Sequence, residues 1–189
     1  GAGVVSDAFF VAFKLANFLR RLFAEGAFNA AFVPMVSRAL ETIGKDDARR
    51  FAGEAFAGLA LVLVVLVIVA ELFMAELVGV LAGGYGPDDP RLPLAVELSH
   101  LTFPYILFIS LAALLGGLLN AVGRFGAAAF APVLLNVVLI AALLASPWLP
   151  VGPAHALAWG VLIAGIAQLA FLTRAAARAQ VLPDRKSVV

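Results

Sequence analysis

The chain has 189 residues, of which 63% are hydrophobic and 13% are charged. A soluble domain is about half apolar and about a quarter charged, so this composition has too much apolar surface for a soluble core of the same size. The mean hydropathy is +1.06, and the absence of cysteine excludes disulfides and thiolate metal sites. The composition therefore predicts a protein that is surrounded by lipid.

Five segments are apolar and long enough to cross a bilayer, which takes about 20 mostly apolar residues. None of them alternates apolar and polar residues as a barrel strand does, so we expect an all-α integral membrane protein, a bundle of about five transmembrane helices. In chain order the segments are approximately 7–40, 52–81, 98–122, 127–144 and 154–174.

Short connections rich in glycine, proline or charge separate the segments. They are residues 41–50, 83–93, 123–126 and 146–153. The stretch 83–93 contains Gly-Gly, Gly-Pro and Asp-Pro pairs, so we expect no helix interior there. Pro104 and Pro132 fall inside apolar segments, where each removes a backbone hydrogen bond and permits a kink. Connections this short predict antiparallel neighbouring helices and a single domain.

Basic residues concentrate in alternate connections. One side receives those at 38–50, 124 and 174–178, whereas the other receives only Arg91. Lysine and arginine mark the cytoplasmic side, so the first segment runs from the outside to the cytoplasm. A chain that starts outside needs an earlier helix or a signal, so we expect a further helix before Gly1. Near the outer helix ends lie Glu71, Glu76, His100 and His155, which we expect at the outer interface.

The first segment contains most of the residues that could have a role in function. At about 100° per residue, four charged residues fall within about 40° of arc: Asp7, Lys14, Arg21 and Glu25. Asn17 flanks this arc. A continuous polar stripe on a spanning helix must face water or protein, because a charge in hydrocarbon costs at least a few kcal/mol.

Two adjacent arginines stand in this stripe or next to it. Arg21 and Glu25 are spaced i, i+4 and can pair, while Arg20 lies about 100° away around the helix. Arginine suits phosphate because its planar fork donates two hydrogen bonds at once, so the pair is a candidate diphosphate clamp. The residues alone support equally well a snorkelling pair at the cytoplasmic end or an ion network that only holds helices together.

Other kinds of site have no sequence signal. There is no phosphate-binding loop, no nucleophile elbow and no basic stripe for nucleic acid, so we expect neither an enzyme nor a nucleic-acid-binding protein. Two histidines and no cysteine argue against a metal site, and we expect no cofactor.

The end of the chain differs from the rest. We expect residues 1–182 to form a transmembrane unit and residues 183–189 to be a non-native or disordered tail. From Asp184 onward the six residues match the translation of a common sequencing-library adapter; the alternative is a natural cytoplasmic loop.

Several runs together resemble the MurJ (MviN) family of lipid II flippases. The runs are DAFFVAFK from Asp7, NFLRRLFAEGAF from Asn17, AFVP from Ala31, TFPYILFISL from Thr102 and AFAPVLLN from Ala129. The first three resemble the family's second transmembrane helix, and the last two resemble its fourth and fifth. The resemblance extends from Gly1 to about Leu182 and identifies the chain as part of an N-terminal lobe.

The resemblance implies a fold and a function. Members of this family belong to the multidrug/oligosaccharidyl-lipid/polysaccharide exporter superfamily and have fourteen helices in two lobes around a cationic cavity. They move lipid II, an undecaprenyl-diphosphate-linked disaccharide peptide, across the bacterial inner membrane by alternating access. The five segments here would be the second to sixth helices, with the first helix and the second lobe lying outside this chain. Lipid II, membrane lipids and those missing parts are the implied partners.

The resemblance also implies site residues. Four positions of this chain match charged positions of the family's second helix: Asp7, Arg20, Arg21 and Glu25. Arg20 and Arg21 are the candidates for contact with the diphosphate, and Lys14 and Asn17 extend the same cavity surface. The alternatives are an exporter of another polyprenyl-linked glycan, another transporter of the superfamily, and a non-transporting membrane scaffold. An antiporter of cationic drugs is disfavoured because the arginine pair would repel its substrate.

Overall fold

The computed structural model describes residues 3–20, 34–35, 38, 45–81 and 89–180 of the chain. Its helices are α1 (Val4–Arg20), α2 (Lys45–Leu72), α3 (Met74–Leu81), α4 (Arg91–Thr102), α5 (Tyr105–Ala121), α6 (Phe125–Ala145) and α7 (Pro153–Arg178). A short 3-10 turn, Ser146–Trp148, follows α6. No strand occurs in the described residues, so the prediction of an all-α fold is confirmed.

Four helical stretches in the described part of the chain are long and apolar enough to cross a membrane. They are Arg50–Leu72, Arg91–Ala121, Phe125–Trp148 and Pro153–Arg178. These stretches correspond to the second to fifth predicted segments, so the prediction of a multi-pass membrane protein is confirmed. The first predicted segment, 7–40, is described as a helix from Val4 to Arg20, and much of its remainder lies outside the described residues. The predicted tail, 183–189, also lies outside them.

Two predicted connections were too long. The helix α2 already begins at Lys45, inside the predicted connection 41–50. The helix α4 begins at Arg91, inside the predicted connection 83–93 and well before residue 98. The Asp89 carboxylate accepts a hydrogen bond from the backbone N–H of Arg91 at 2.9 Å, which stabilises the helix start. Pro93 lies in the first turn, where its missing N–H would have had no helical partner.

Two of the predicted apolar segments, 52–81 and 98–122, are each divided into two helices, but in different ways. The predicted segment 52–81 is divided at Phe73, but the hydrogen bonds from Phe73 N–H to Val69 O and from Leu77 N–H to Phe73 O continue across the division. The third segment is divided at Phe103 and Pro104, where the sequence predicted a proline kink. Pro132 lies inside the uninterrupted helix α6.

Helix α5 occupies the centre of the bundle. Most of its residues from Tyr105 to Leu119 are buried, and it packs against α2, α6 and α7. Small residues let the neighbouring helices approach closely. A Cβ built on Gly165 of α7 would lie 2.6 Å from Cδ2 of Tyr105, and one built on Gly160 would lie 3.0 Å from the Cβ of Ala142. Glycine at 165 is therefore required by the close packing of α7 on α5.

A buried amide joins α6 to α7. Gln168 is 1% exposed, and its Nε2 donates a hydrogen bond of 2.8 Å to the backbone oxygen of Ala131. In lipid such bonds stabilise helix pairs by about 0.6 to 2 kcal/mol. Just before α6, Gly123 adopts φ +76° in the turn after α5, a conformation that side chains with a Cβ rarely adopt.

The core has two main parts along the bundle. The part predicted to lie towards the cytoplasm is built by α2, α5 and α7 around Leu63, Leu115 and Leu172. The outer part is built by α1, α3, α4 and the start of α7 around Ala8, Met74 and Leu98. Helix α1 packs most extensively on α4, so this contact is its main attachment to the rest of the bundle.

Candidate functional site

Helix α1 has one packed face and one open face. Ala8 and Ala12 are almost completely buried, and they belong to the same cluster as Ala95 and Leu98 of α4. The small alanines permit close approach of the two helices. On the other side of α1, Lys14 is exposed. At Lys14 the polar stripe thus faces away from the surface of α1 that packs on α4.

Beside Lys14 lies a shallow groove of ≈ 390 Å³. It is lined by Phe10, Val11, Phe13, Lys14 and Asn17. Phe10 is 63% exposed, whereas Phe13 stacks on Phe9 with a ring separation of 5.8 Å and packs towards Tyr105. The groove therefore combines an amphipathic lysine with aromatic surface, a combination that can accept an apolar chain carrying an anionic group.

The outer end of the stripe is held by an ion pair that the sequence did not predict. Oδ2 of Asp7 lies 3.5 Å from a guanidinium nitrogen of Arg91, at the start of α4. Arg91 is itself fixed by Asp89, with 2.6 Å between Nη2 and Oδ2 and 2.9 Å between Nε and Oδ1. The side-chain hydrogen bond from Arg91 holds the pKa of Asp89 below its usual range, and the backbone N–H of Arg91 acts in the same direction. Asp7, predicted to face the cavity, thus contacts a neighbouring helix in this structure.

The other predicted site residues are only partly described. Lys14 and Asn17 lie together at the groove. Arg20 is the last residue of α1, and its side chain lies outside the description. Arg21 and Glu25 lie outside the described residues altogether. Their roles in binding diphosphate therefore remain predictions.

Two histidine–glutamate pairs on α4 were missed by the sequence reasoning. His100 Nδ1 lies 2.5 Å from Oε2 of Glu71 on α2, and His155 Nε2 on α7 lies 3.0 Å from Oε1 of Glu97. The sequence placed His100, His155 and Glu71 near the outer interface but gave no information on which partner each would meet. Separations of 29 and 58 residues carry no local pattern that could have indicated the pairs.

Helix length indicates how deep in the membrane these histidine–glutamate pairs lie. The stretch Arg91–Ala121 has 31 residues, whereas about 20 cross the hydrocarbon core. Counting back about 20 residues from the cytoplasmic end at Ala121 reaches the turn that contains His100. Counting forward from Arg50 on α2 reaches Glu71 in the same way. With the orientation that the sequence predicts, we expect Glu71 and His100 near the outer boundary of the hydrocarbon core and the start of α4 beyond it.

Among the described residues, no group of three or more His, Cys, Asp or Glu side chains could hold a metal ion. The features that remain are spanning helices, a helix with an open polar face, and ionisable pairs at the outer boundary. Together they define an α-helical, multi-pass membrane protein.

The family model described as "Lipid II flippase MurJ" matches residues 1–187. The chain belongs to this family, as its sequence runs predicted.

Individual relatives agree with the family assignment. The chain is 46% identical over 177 residues to the "Probable lipid II flippase MurJ" of Rhizobium meliloti (strain 1021), with 91% of this chain and 33% of the relative covered. It is 41% identical over 169 residues to the "Lipid II flippase MurJ" of Burkholderia cenocepacia, with 89% and 33% covered. The chain thus spans about a third of the length of these curated relatives.

A solved structure has the same arrangement of helices. It is titled "Lipid II flippase MurJ, inward closed conformation" and matches with a TM-score of 0.70 and 25% sequence identity. The match covers 90% of this chain and 36% of the solved one. The expected all-α transporter fold is therefore confirmed over nearly the whole chain.

Proposed function

We propose that this chain is part of a flippase that moves lipid II to the outer leaflet of the bacterial inner membrane by alternating access. It supplies helices of the N-terminal lobe, and the first helix and second lobe belong to the rest of the full-length protein. The names of the relatives support lipid II as the substrate. Transport, rather than catalysis, is the activity because the relatives are flippases.

One observation on this chain's own residues supports the proposed function. Helix α1 is buried through Ala8 and Ala12, yet it leaves Lys14 exposed beside the groove. A lysine on a spanning helix is costly in hydrocarbon, so it faces a water-filled or anionic environment. A central cavity that receives a diphosphate provides such an environment.

The predicted polar stripe extends beyond Lys14 in both directions. Lys14 lies two turns from Asp7, and at the helical spacing that the sequence predicts Arg21 would follow two turns later on the same arc. Arg20 and Arg21 would meet the diphosphate through bidentate hydrogen bonds, while Glu25 holds Arg21 in place. The apolar part of the groove, with Phe10 and Phe13, would accommodate the lipid chain.

The test is complementation with the full-length gene in a bacterium depleted of its own flippase. Wild type is compared with Arg21→Ala, Arg20→Ala and the control Arg50→Ala, with the membrane abundance of each measured. Arg50 suits the control because it is an exposed arginine at the cytoplasmic end of α2 that pairs with Asp47 and Glu54.

We expect wild type and Arg50→Ala to rescue growth and Arg21→Ala to fail at normal abundance. Rescue by all variants alike would leave the flippase in place but reduce the arginines to structural roles. Failure of well-expressed wild type would favour another polyprenyl-linked glycan as the substrate.

A further inference from the structure

We propose that α4 is the element that positions the substrate helix α1, and that Arg91, Glu97 and His100 are its positioning residues. The proposal rests on the proposed function only in treating α1 as the helix that faces substrate. Each of these three side chains contacts a different neighbouring helix: α1, α7 and α2 respectively.

Arg91 is the connection to α1. Asp89 holds its guanidinium through three side-chain hydrogen bonds of 2.6 to 3.1 Å, so the group that reaches Asp7 is already oriented. A preorganised donor loses less conformational entropy when it pairs than a freely moving one. The Asp7 carboxylate at 3.5 Å therefore has a fixed counter-charge at the outer end of its helix.

Glu97 and His100 connect α4 to the rest of the bundle. They are three residues apart on α4, and they pair with His155 of α7 and Glu71 of α2. Within the described residues, the other oxygen of Glu71 is buried and has no hydrogen-bond partner, so His100 is the contact that this carboxylate makes there. The two pairs hold α4 between helices on two sides.

The junction between α4 and α5 permits a bend. Phe103 and Pro104 separate the two helices, and Pro104 has no N–H to continue the ladder of hydrogen bonds. In the last turn of α4, the Ser99 hydroxyl donates to the backbone oxygen of Ala95 at 2.6 Å, a contact that often bends helices. Contacts made by α4 itself therefore contribute to its direction.

A change in α4 is transmitted to α1 through close packing. Ala8 and Ala12 lie in one buried cluster with Ala95 and Leu98. Closely packed surfaces of small residues do not deform gradually, so α1 moves with α4 rather than sliding over it. The groove beside Lys14 is on the opposite face of α1, and its access changes when α1 moves.

The first experiment measures the position of α1 without using transport. In the full-length protein, with any native cysteine replaced, Phe10→Cys provides a single thiol at an exposed position of the groove. A membrane-impermeant maleimide is added from the outer side, and the labelling rate is compared among backgrounds. These are wild type, Arg91→Gln, Arg91→Lys and the control Arg50→Gln.

We expect Arg91→Gln to raise the labelling rate about twofold to fivefold, the range that an exposed ion pair allows. Arg91→Lys keeps the charge and should lie between Arg91→Gln and wild type, while Arg50→Gln should match wild type. Equal rates in all four backgrounds would overturn the proposal. The labelling rate is measured without lipid II. Its result therefore does not depend on whether lipid II is the substrate.

The second experiment tests the two histidine–glutamate contacts. The labelling rate of Phe10→Cys is measured in wild type and in His100→Leu/His155→Leu, which removes both hydrogen bonds. We expect a higher rate in the double variant, because α4 loses its contacts with α2 and α7. Equal rates would overturn the role of Glu97 and His100 in positioning α1.

Discussion

The guanidinium of Arg91 lies 3.5 Å from the carboxylate of Asp7, although the two residues are 84 positions apart. This contact joins the outer end of the helix that carries the polar stripe to the first turn of α4. The sequence predicted Asp7 as a cavity residue and Arg91 as an isolated outer charge. The structure instead brings the two together, and this defines how the stripe is held.

The Asp7–Arg91 pair predicts measurable energetic coupling. In the full-length protein, a double-mutant cycle with Asp7→Asn and Arg91→Gln should give a coupling energy of about 0.2 to 1 kcal/mol, because both side chains are partly exposed. The measurement is stability against thermal or chaotropic unfolding in detergent. Arg50→Gln combined with Asp7→Asn is the matched control and should be additive, because Arg50 lies at the opposite end of the bundle.

Lys14 should contribute charge rather than packing to the transporter. We expect Lys14→Gln to reduce lipid II translocation by the full-length protein several-fold, whereas Lys14→Arg retains most of it because the positive charge remains beside the groove. The measurement is translocation in reconstituted vesicles, with protein content matched. A Lys14→Gln variant as active as wild type would show that the groove does not carry the anionic part of the substrate.

Gly165 should tolerate no larger residue. Gly165→Ala adds a Cβ 2.6 Å from the ring of Tyr105, so the two helices must separate. Overpacking of this kind typically costs about 1 to 3 kcal/mol. Gly58→Ala is the control because nothing lies within 4 Å of its added Cβ. The melting temperature in detergent should fall for the first variant and stay unchanged or rise for the second.

Gln168 should stabilise the pairing of α6 and α7. Replacing it with leucine removes the 2.8 Å hydrogen bond to Ala131, and we expect a loss of about 0.6 to 2 kcal/mol in unfolding free energy. Thr173→Val is the comparison, because the Thr173 hydroxyl bonds only within its own helix, to Leu169. If Gln168→Leu were no less stable than Thr173→Val, the amide would have no role in joining the two helices.

Asp89 predicts an acid dependence whose sign follows from its depressed pKa. A carboxylate with a lower pKa in the folded state stabilises the protein above its unfolded value, near 3.8, and this contribution is lost as pH falls through the folded value. Wild type should therefore lose stability between about pH 4 and pH 3 more steeply than Asp89→Asn. Between pH 5 and 8 the two should show parallel pH dependence.

The sequence predicted the spanning segments because their evidence is local: apolar length, proline and glycine boundaries, and alternating positive charge. The sequence placed the starts of α2 and α4 too late, after Lys45 and Arg91. Individual proline, glycine and charged residues did not mark these starts correctly, because proline is tolerated in a first helical turn and an aspartate can support a helix start. The amphipathic character of α1 was also local, and the exposed Lys14 opposite the buried Ala8 agrees with it.

The partners of the charged residues could not be predicted, because they depend on how helices distant in sequence are placed. Glu71 and His100 were each read as interfacial residues, but only the packing of α4 beside α2 makes them a pair. The same holds for Asp7, whose partner begins a helix that was read as a loop. The resemblance to a family supplied roles for Arg20 and Arg21, but it contained no information about these contacts.

The 31-residue stretch that contains α4 and α5 is longer than the hydrocarbon core, and this has a pharmacological consequence. With the orientation that the sequence predicts, the Asp7–Arg91 contact and both histidine–glutamate pairs are expected at or beyond the outer boundary of the bilayer. A polar antibiotic directed at them would not have to dissolve in the inner membrane or reach the cytosol.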